Sequence, residues 1–264
     1  MKLLSTQFNS RAALADYLTD KFSDLLPADR PSISPIIGEK PPAQVIKTSI
    51  QPMAYARTRN FYSGSVSRLS PYIRHGLIER RTLAAIALAE AGEKRSGKFL
   101  QELLWGEFWH QVANQDPDLL WQDAGDYKTG YSTSDYAPEL PEDIIQGHTS
   151  NACINHFIRD LTIDGYLHNH ARMYLAAYVV HFRRIRWQAG AAWFLHHLID
   201  GDVAANNLSW QWIASTFGSK PYIFNLENVT KYCGDRLDCR PQNNLELDSS
   251  YQALNTRLFR QSKS

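Results

Sequence analysis

The fold is decided by residues 165–212, which read GYLHNHARMYLAAYVVHFRRIRWQAGAAWFLHHLIDGDVAANNLSWQW. Apolar side chains recur there at helical spacing, which predicts helices over roughly 168–182, 188–199 and 203–215. The stretch contains no strand–turn–strand pattern that would favour a β-hairpin instead. The stretch therefore predicts an all-α fold.

Polar side chains converge on the start of the third predicted helix. Asp200 and Asp202 flank a glycine just before it, and Asn206 lies one helical turn beyond Asp202. Arg172 is available to pair with either carboxylate, and such a group suits a polar, planar ligand. An aspartate at a helix start is also an ordinary N-cap, however, and the residue types alone favour the cap.

Several classes of site have no support in the sequence. There is no glycine-rich phosphate-binding loop of the dinucleotide type and no G-x-S-x-G nucleophile turn. His168, His170, His196 and His197 lack the spacing of a metal-binding helix, so ordinary hydrogen-bonded or surface histidines are favoured. We therefore expect no metal site.

Toward the N terminus, helical signals begin after Tyr55. Residues 70–76, SPYIRHG, combine a capping serine, a proline at the first helical position and a terminating glycine, which predicts a short helix. Residues 83–91 and 97–115 predict two further helices, the second of which is ended by Pro117.

The helix predicted over 97–115 places Glu102, Trp105 and Trp109 on one face. Residues 121–147 are rich in Gly, Asp, Ser, Tyr and Pro and predict a long loop, which in a compact domain is usually functional or mobile. One more helix, from about residue 150 to Gly165, is predicted by an apolar stripe of Ile154, Phe157, Ile158 and Leu161.

The first 54 residues differ in character from the rest. A short amphipathic helix is predicted from Asn9 or Ser10, with Leu14 and Leu18 on its apolar face. Six prolines between Pro27 and Pro52 remove backbone donors and fix φ, so this segment is predicted to be an extended, ordered arm.

Composition sets broad limits. Lys and Arg total 28 against 27 Asp and Glu, so a net charge of +1 provides no global field for a polyanion. The 3 cysteines lack paired metal-ligand spacing, and no apolar run has signal-peptide or membrane-span length. We expect a soluble, cytoplasmic protein. The tryptophans at 187, 210 and 212 are core residues by default.

Five motifs, in order, resemble those of the DNA photolyase and cryptochrome family. They are YARTRNF (55–61), SRLSPYIRHGLI (67–78), LQELLWGEFW (100–109), GYLHNHARM (165–173) and LIDGDVAANNLSWQW (198–212). The resemblance implies that family's helical FAD-binding domain over residues 55–240, preceded by the helix and arm of 1–54 and followed by a tail, 241–264. Nothing before Tyr55 resembles the family's antenna domain, so no second chromophore is expected.

The resemblance also implies an FAD site. The turn before the short helix would hold the phosphates, Arg172 with Asp200 would form an ion pair beside the flavin ring, Asp202 would accept a flavin or ribose hydrogen, and Asn206 would face flavin N5. The implied cofactor-binding residues are Tyr55, Val66, Ser67, Arg68, Leu69, Ser70, Glu102, Asn169, Arg172, Asp200, Asp202 and Asn206.

The family's chemistry is light-driven electron transfer from FAD. Glu102, Trp105, Met173 and Trp212 match its pocket for a pyrimidine dimer, and Trp187 and Trp210 match two of its three electron-donating tryptophans. The third donor falls in the loop that contains Tyr131 and Tyr136. With Asn206, these six matched residues are the predicted catalytic set. The expected function is a minimal DNA photolyase, and the alternatives are a cryptochrome-like photosensor or an accessory module for a partner chain.

Departures from the family motifs affect the expected partner. Gly106 replaces an arginine and His170 replaces a DNA-contacting arginine, while Val66 replaces threonine and Leu208-Ser209 replaces a glycine pair. The first two changes remove positive charge, so damaged single-stranded DNA is favoured over duplex. The sequence is also compatible with binding to a protein partner or to a second copy of the chain.

Overall fold

The computed structural model describes residues 4–25 and 42–260. The chain forms two compact units, and the boundary between them falls within the segment that separates these ranges. The first unit contains helix α1, Arg11–Lys21, followed by a 3-10 turn, Ser23–Leu25. The side chain of Ser10 accepts a hydrogen bond from the amide of Ala13, which confirms Ser10 as the cap.

The described part of the second unit contains the other helices. Its helices are α2 Pro42–Ser49, α3 Pro52–Thr58, α4 Ser70–Arg74, α5 Arg80–Gln115, α6 Glu142–Ile145, α7 Ala152–Arg159, α8 Asn169–Ala177, α9 Trp187–His197, α10 Val203–Ala214, α11 Leu226–Cys233 and α12 Tyr251–Leu258. Two π-helical turns, Asp160–Asp164 and Tyr178–Phe182, extend α7 and α8. Within the two described ranges the only β structure is a pair of isolated bridges, which confirms the all-α prediction.

Helix α2 contradicts part of the prediction for the proline-rich arm. Residues 42–49 are helical rather than extended. Pro42 stands at the first helical position, where its missing N–H costs nothing, and no proline follows before Pro52. Val45 and Ile46 pack against a small hydrophobic cluster, which stabilises the helix. The remainder of the predicted arm, 27–41, lies outside the described residues.

Helix α5 consists of two segments that fold back on each other at Gly92. Gly92 has φ 71° and ψ 166°, a conformation that residues with a Cβ atom avoid. The hydroxyl of Ser96 donates to the carbonyl of Ala87 across the bend at 2.6 Å. The two predicted helices over 83–91 and 97–115 therefore exist, as antiparallel neighbours.

The long loop after α5 is tied to α10. The amide of Ala124 donates to Oε1 of Gln211 at 2.9 Å, and the amide of Lys128 donates to the hydroxyl of Ser215 at 2.8 Å. The segment predicted as an unbroken loop also contains a 3-10 turn, Thr133–Asp135, and α6.

Two hydrophobic clusters form the core of this unit. The larger involves α7 to α11 and includes the predicted apolar stripe of residues 154, 157, 158 and 161, all fully or almost fully buried. The smaller lies between α2 and α5. Residues predicted as a C-terminal tail carry α12, in which Leu254 is fully buried. Among the described helices, none has the length and apolar content needed to cross a membrane.

Candidate functional site

A cavity of about 370 Å³ lies where the two hydrophobic clusters meet, a size typical of small-molecule sites. Its walls come from the turn before α4 and from α3, α5, α8 and α10. The structure brings all of the predicted cofactor residues to this wall: Tyr55, Val66, Ser67, Arg68, Leu69, Ser70, Glu102, Asn169, Arg172, Asp200, Asp202 and Asn206.

A buried ion pair lies at one side of the cavity. Nη2 of Arg172 is 3.0 and 2.8 Å from the two oxygens of Asp200, whose side chain is only 2% exposed. The carbonyl of Leu167 accepts from Nε of Arg172 at 2.8 Å. Burial lowers the pKa of Arg172, but attraction and hydrogen bonding to Asp200 outweigh it, so the pKa is raised and Arg172 stays charged.

Ser70 has a different role from the predicted cap. Helix α4 begins at Ser70 itself, with Leu69 at the cap position and no side-chain cap. The hydroxyl of Ser70 instead donates to Asp200 at 2.6 Å. This contact satisfies a second acceptor of a buried carboxylate and joins α4 to the site.

Asp202 both caps α10 and lines the cavity. One oxygen accepts from the amide of Ala205 at 2.9 Å, and the other lies 2.7 Å from Nε2 of His110. Burial alone would raise the pKa of Asp202. The two hydrogen bonds and the nearby cation of Arg74 have the larger, opposite effect, so the pKa is lowered overall. Asp202 can therefore cap the helix and contact a ligand at the same time.

Asn206 is held in one orientation by its amide nitrogen. Nδ2 donates to the carbonyl of Ala191 at 3.0 Å and to Oδ1 of Asn207 at 2.9 Å. With both of its hydrogens donated, the side chain can offer a ligand only its carbonyl oxygen. Asn206 is thus a fixed, neutral acceptor on the cavity wall.

Tyr166 is a cavity residue that the sequence analysis did not single out. The guanidinium carbons of Arg68 and Arg172 lie 5.6 and 5.5 Å from its ring centre. Arg68 has φ 53°, a left-handed conformation that is uncommon outside glycine. Tyr166 belongs to the quoted motif GYLHNHARM, so the signal for it was present in the sequence.

Two stacked tryptophans of α5 line the cavity. Glu102, Trp105 and Met173 line it as predicted, and Trp105 is 45% exposed. Trp109, on the same face of α5, stacks on Trp105 with ring centres 5.8 Å apart and also lines the cavity. Trp212 lies outside the lining, is 43% exposed and packs near Tyr222. The structure therefore does not bring Trp212 into the cavity with Trp105.

Of the two predicted electron donors, one lines the cavity and the other is buried outside its lining. Trp210 lines it, and its ring lies so close to Gly190 that a Cβ atom there would be 2.3 Å from Cη2. Trp187, fully buried one turn before Gly190, lies outside the lining and donates its Nε1–H to Asp123 at 2.6 Å. Of the two loop tyrosines, Tyr136 is buried, and Tyr131 lies near it and is partly exposed.

His170, which replaces a family arginine, is turned into the protein. Its Nδ1 is 2.9 Å from the carbonyl of Asn60, and its ring stacks on Tyr174 with centres 4.6 Å apart. Burial lowers the pKa of His170, so the side chain is neutral near pH 7. Of the other replaced positions, Leu208 is fully buried and Ser209 lines the cavity.

The cavity residues fit the cofactor that the sequence resemblance implies. Arg68 and Arg74 give one part of the wall positive charge, which suits a pyrophosphate. The buried pair of Arg172 and Asp200, together with the carbonyl of Asn206, offers donors and acceptors to a polar ring. No cluster of three or more metal-ligating side chains occurs within residues 4–25 and 42–260.

Comparison with known proteins gives the same assignment. The family described as the FAD binding domain of DNA photolyase matches residues 99–238, more than half of the chain. A deoxyribodipyrimidine photo-lyase from Escherichia coli is 30% identical over 70% of this chain and 40% of its own length. A cryptochrome DASH from Idiomarina loihiensis is 31% identical over 67% and 41%.

A solved structure shows the same fold. The crystal structure of an archaeal photolyase from Sulfolobus tokodaii with two FAD molecules has a TM-score of 0.63 at 24% identity, covering 86% of this chain and 51% of that one. The chain spans about two fifths of the length of the two curated relatives. It belongs to the family of the FAD-binding domain of DNA photolyase, and FAD is its cofactor.

Proposed function

We propose that this chain is the FAD-binding part of a DNA photolyase, which uses blue light to reverse pyrimidine dimers. The observation that carries the proposal is the composition of one cavity. The predicted flavin ligands line it together with Glu102, Trp105 and Met173, three of the four residues predicted to hold the lesion. A photosensor requires only the flavin ligands, so the second group favours repair.

The polar wall would orient the cofactor. Bound FAD supplies the absorption of blue light and the electron that the reaction needs. Arg172 is fixed by Asp200 and by the carbonyl of Leu167, so its guanidinium meets a ligand in one orientation. Asn206 offers a neutral oxygen, which does not repel an electron-rich ring as a carboxylate would.

Trp210 and Trp187 would supply electrons to the cavity. Trp210 is almost fully buried against the wall, and Gly190 lets α9 approach it closely. Asp123 accepts the indole N–H of Trp187, and a carboxylate at that position stabilises the positive charge that the ring gains on losing an electron. Tyr136, stacked on Tyr127 at 4.2 Å, lies in the loop where the third donor is expected.

Trp105 and Glu102 would bind the lesion. Trp105 rests on Trp109, so the two indoles form a rigid apolar surface on which an unstacked base can lie. The carboxylate of Glu102 is held by Lys98 at 2.8 Å and by Arg59 at 3.6 Å. A carboxylate fixed in this way can accept a hydrogen bond from a base edge.

We also propose that single-stranded DNA is the better substrate. Flipping a dimer out of a duplex costs a few kcal/mol, which phosphate contacts on either side must offset. His170 stands where the resemblance implies a DNA-contacting arginine, and it is partly buried and neutral near pH 7. A lesion in a single strand avoids most of the flipping cost.

The test uses the chain reconstituted with FAD, reduced, and illuminated with dimer-containing oligonucleotides. We expect the absorbance of the thymine band to return faster with single-stranded than with duplex substrate, and repair of duplex to fall steeply with salt. Trp105→Ala should abolish repair and leave FAD bound. Trp210→Phe should slow photoreduction of oxidised FAD, whereas Trp193→Phe, at a core tryptophan outside the cavity wall, should not.

Two results would contradict the proposal. Absence of repair of both substrates by fully reduced protein would favour a photosensor. Repair that survives Trp105→Ala would show that the lesion binds elsewhere.

A further inference from the structure

The bend in α5 places an arginine beside a glycine that lies far from it in sequence. In a straight helix, Arg80 and Gly106 would be about 39 Å apart at 1.5 Å per residue. Because α5 folds back at Gly92, a Cβ atom built on Gly106 would lie 3.0 Å from Nε, 3.1 Å from Nη2 and 3.2 Å from Cζ of Arg80. The guanidinium of Arg80 thus occupies the space that a side chain at position 106 would need.

This guanidinium is positioned and open to the cavity. Nη1 of Arg80 donates to Oε1 of Glu107 at 2.9 Å, and this contact restrains one end of the guanidinium. Its other edge, Nε and Nη2, lies over Gly106, and both Arg80 and Gly106 line the cavity. The side chain of Arg80 is 24% exposed, so a ligand can reach it.

We infer that Arg80, whose guanidinium lies over Gly106, binds a phosphate group in the cavity. A guanidinium matches a phosphate in shape and charge and can donate two parallel hydrogen bonds to it. The family resemblance implies an arginine at position 106, where this chain has glycine, and Arg80 brings a positive charge to the same place from the other segment of α5. Arg80 and Gly106 therefore act as one unit.

Two phosphate sources have this chemistry: the pyrophosphate of FAD and the backbone of a bound nucleic acid. The first source depends only on FAD binding, and the second rests on the proposed function. A merely structural ion pair with Glu107 is the competing explanation, but Glu107 is 49% exposed, and ion pairs this exposed contribute little to stability.

The experiment compares Arg80→Ala with Arg81→Ala. Arg81 is the matched control, since it removes the same charge from the next residue, is 85% exposed, pairs with Glu79 and does not line the cavity. Affinity for FAD is measured by flavin fluorescence, and affinity of the FAD-loaded chain for a single-stranded oligonucleotide is measured at several salt concentrations. Arg80→Ala should weaken one of the two by about tenfold, as expected for one charge-assisted contact.

The two arms distinguish the source of the phosphate. Weaker FAD binding assigns Arg80 to the pyrophosphate. Unchanged FAD binding with weaker oligonucleotide binding and a smaller salt dependence assigns it to the nucleic-acid backbone. If both affinities match those of Arg81→Ala, the inference is wrong.

A swap of the two positions tests the location. Arg80→Ala combined with Gly106→Arg should recover most of the lost affinity, whereas Gly106→Arg alone should clash with Arg80 and weaken binding. Failure of the double variant to recover affinity, with a thermal midpoint equal to wild type, would overturn the shared position. Glu107→Gln should change binding less than Arg80→Ala, and an equal loss would mean that the ion pair is structural.

These outcomes are separate from failure of the proposed function. If the wild-type chain binds FAD and an oligonucleotide but repairs no dimer, the proposed function fails and the role of Arg80 can still be measured.

Discussion

The carboxylate of Asp200 links three parts of the site. It accepts from Arg172 on α8 and from Ser70 at the start of α4, and it stands in the turn that leads into α10. Its side chain is 2% exposed, so water cannot replace a lost partner. At the scale of single residues, the charge of the site therefore depends on both members of one pair.

Arg172→Ala should destabilise the chain by about 3 kcal/mol and lower FAD occupancy, because it leaves the Asp200 carboxylate buried without its guanidinium. Denaturant unfolding and the flavin absorbance of purified protein would measure the two effects. Arg183→Ala is the control, because Arg183 forms a similar pair with Asp143 at 2.7 Å outside the cavity wall, with Asp143 38% exposed. We expect that control to keep its FAD, and equal FAD loss in both variants would contradict a specific role for Arg172.

At the scale of elements, the bend in α5 determines which residues face the cavity. It sets residues 80–91 antiparallel to 93–115 and thereby places Arg80 beside Gly106. The bend requires a residue with φ 71° and ψ 166°, and Gly92 supplies it. An amphipathic pattern cannot specify such a bend, because it repeats equally on both sides of the glycine.

Gly92→Ala and Gly97→Ala should change stability in opposite directions. A Cβ atom meets nothing within 4 Å at either position, so packing does not distinguish them. Ala at 92 should cost about 1 to 3 kcal/mol because its backbone is strained there. Ala at 97, in regular helix, should stabilise by up to about 1 kcal/mol. Urea unfolding measures both, and stabilisation by Gly92→Ala would show that the bend is absent in solution.

At the scale of the whole molecule, the interior is built to exclude charge except where it is paired. Burial, with nearby Arg68 and Arg172 contributing, lowers the pKa of His168 to about 4, and burial lowers that of His181 to about 4. His168 caps α8 by accepting from the amide of His170, which requires the neutral ring. His181 is 2% exposed, and its Nε2 lies 2.9 Å from the carbonyl of Ile213.

These two histidines predict a loss of stability in weak acid. Above pH 6.5 the rings are neutral in both states. As the pH falls from 6.5 toward about 4, the unfolded chain binds protons that the folded chain does not, so stability decreases by about 1.4 kcal/mol per pH unit for each histidine. Denaturant unfolding across this range measures the loss. His181→Gln should reduce it and His148→Gln, at an exposed position, should not; equal slopes in all three proteins would contradict the assignment.

The sequence alone determined the helical class, most helix positions and about half of the residues that line the cavity, including all of the predicted cofactor-binding residues. Helices are set by local spacing, and the ligands of the site sit in short contiguous motifs such as 198–212, so neighbours in sequence carry the signal. The residue types left Arg172 free to pair with Asp200 or Asp202, and the pair with Asp200 was expected only from the resemblance of two separate motifs to the family. Tyr166 could have been predicted as a cavity residue, because it lies inside one of the motifs.

Only the tertiary structure decided three features. Helix α2 forms because its apolar side chains pack against a cluster made by other elements. The prolines in this segment predicted an extended chain instead. Trp212 lies outside the cavity because residues two apart on a helix point in different directions. On α10, Trp210 points toward the buried cavity wall and Trp212 does not. Arg80 stands over Gly106 because one positive φ angle reverses the chain between them, and no local pattern relates residues across a reversal.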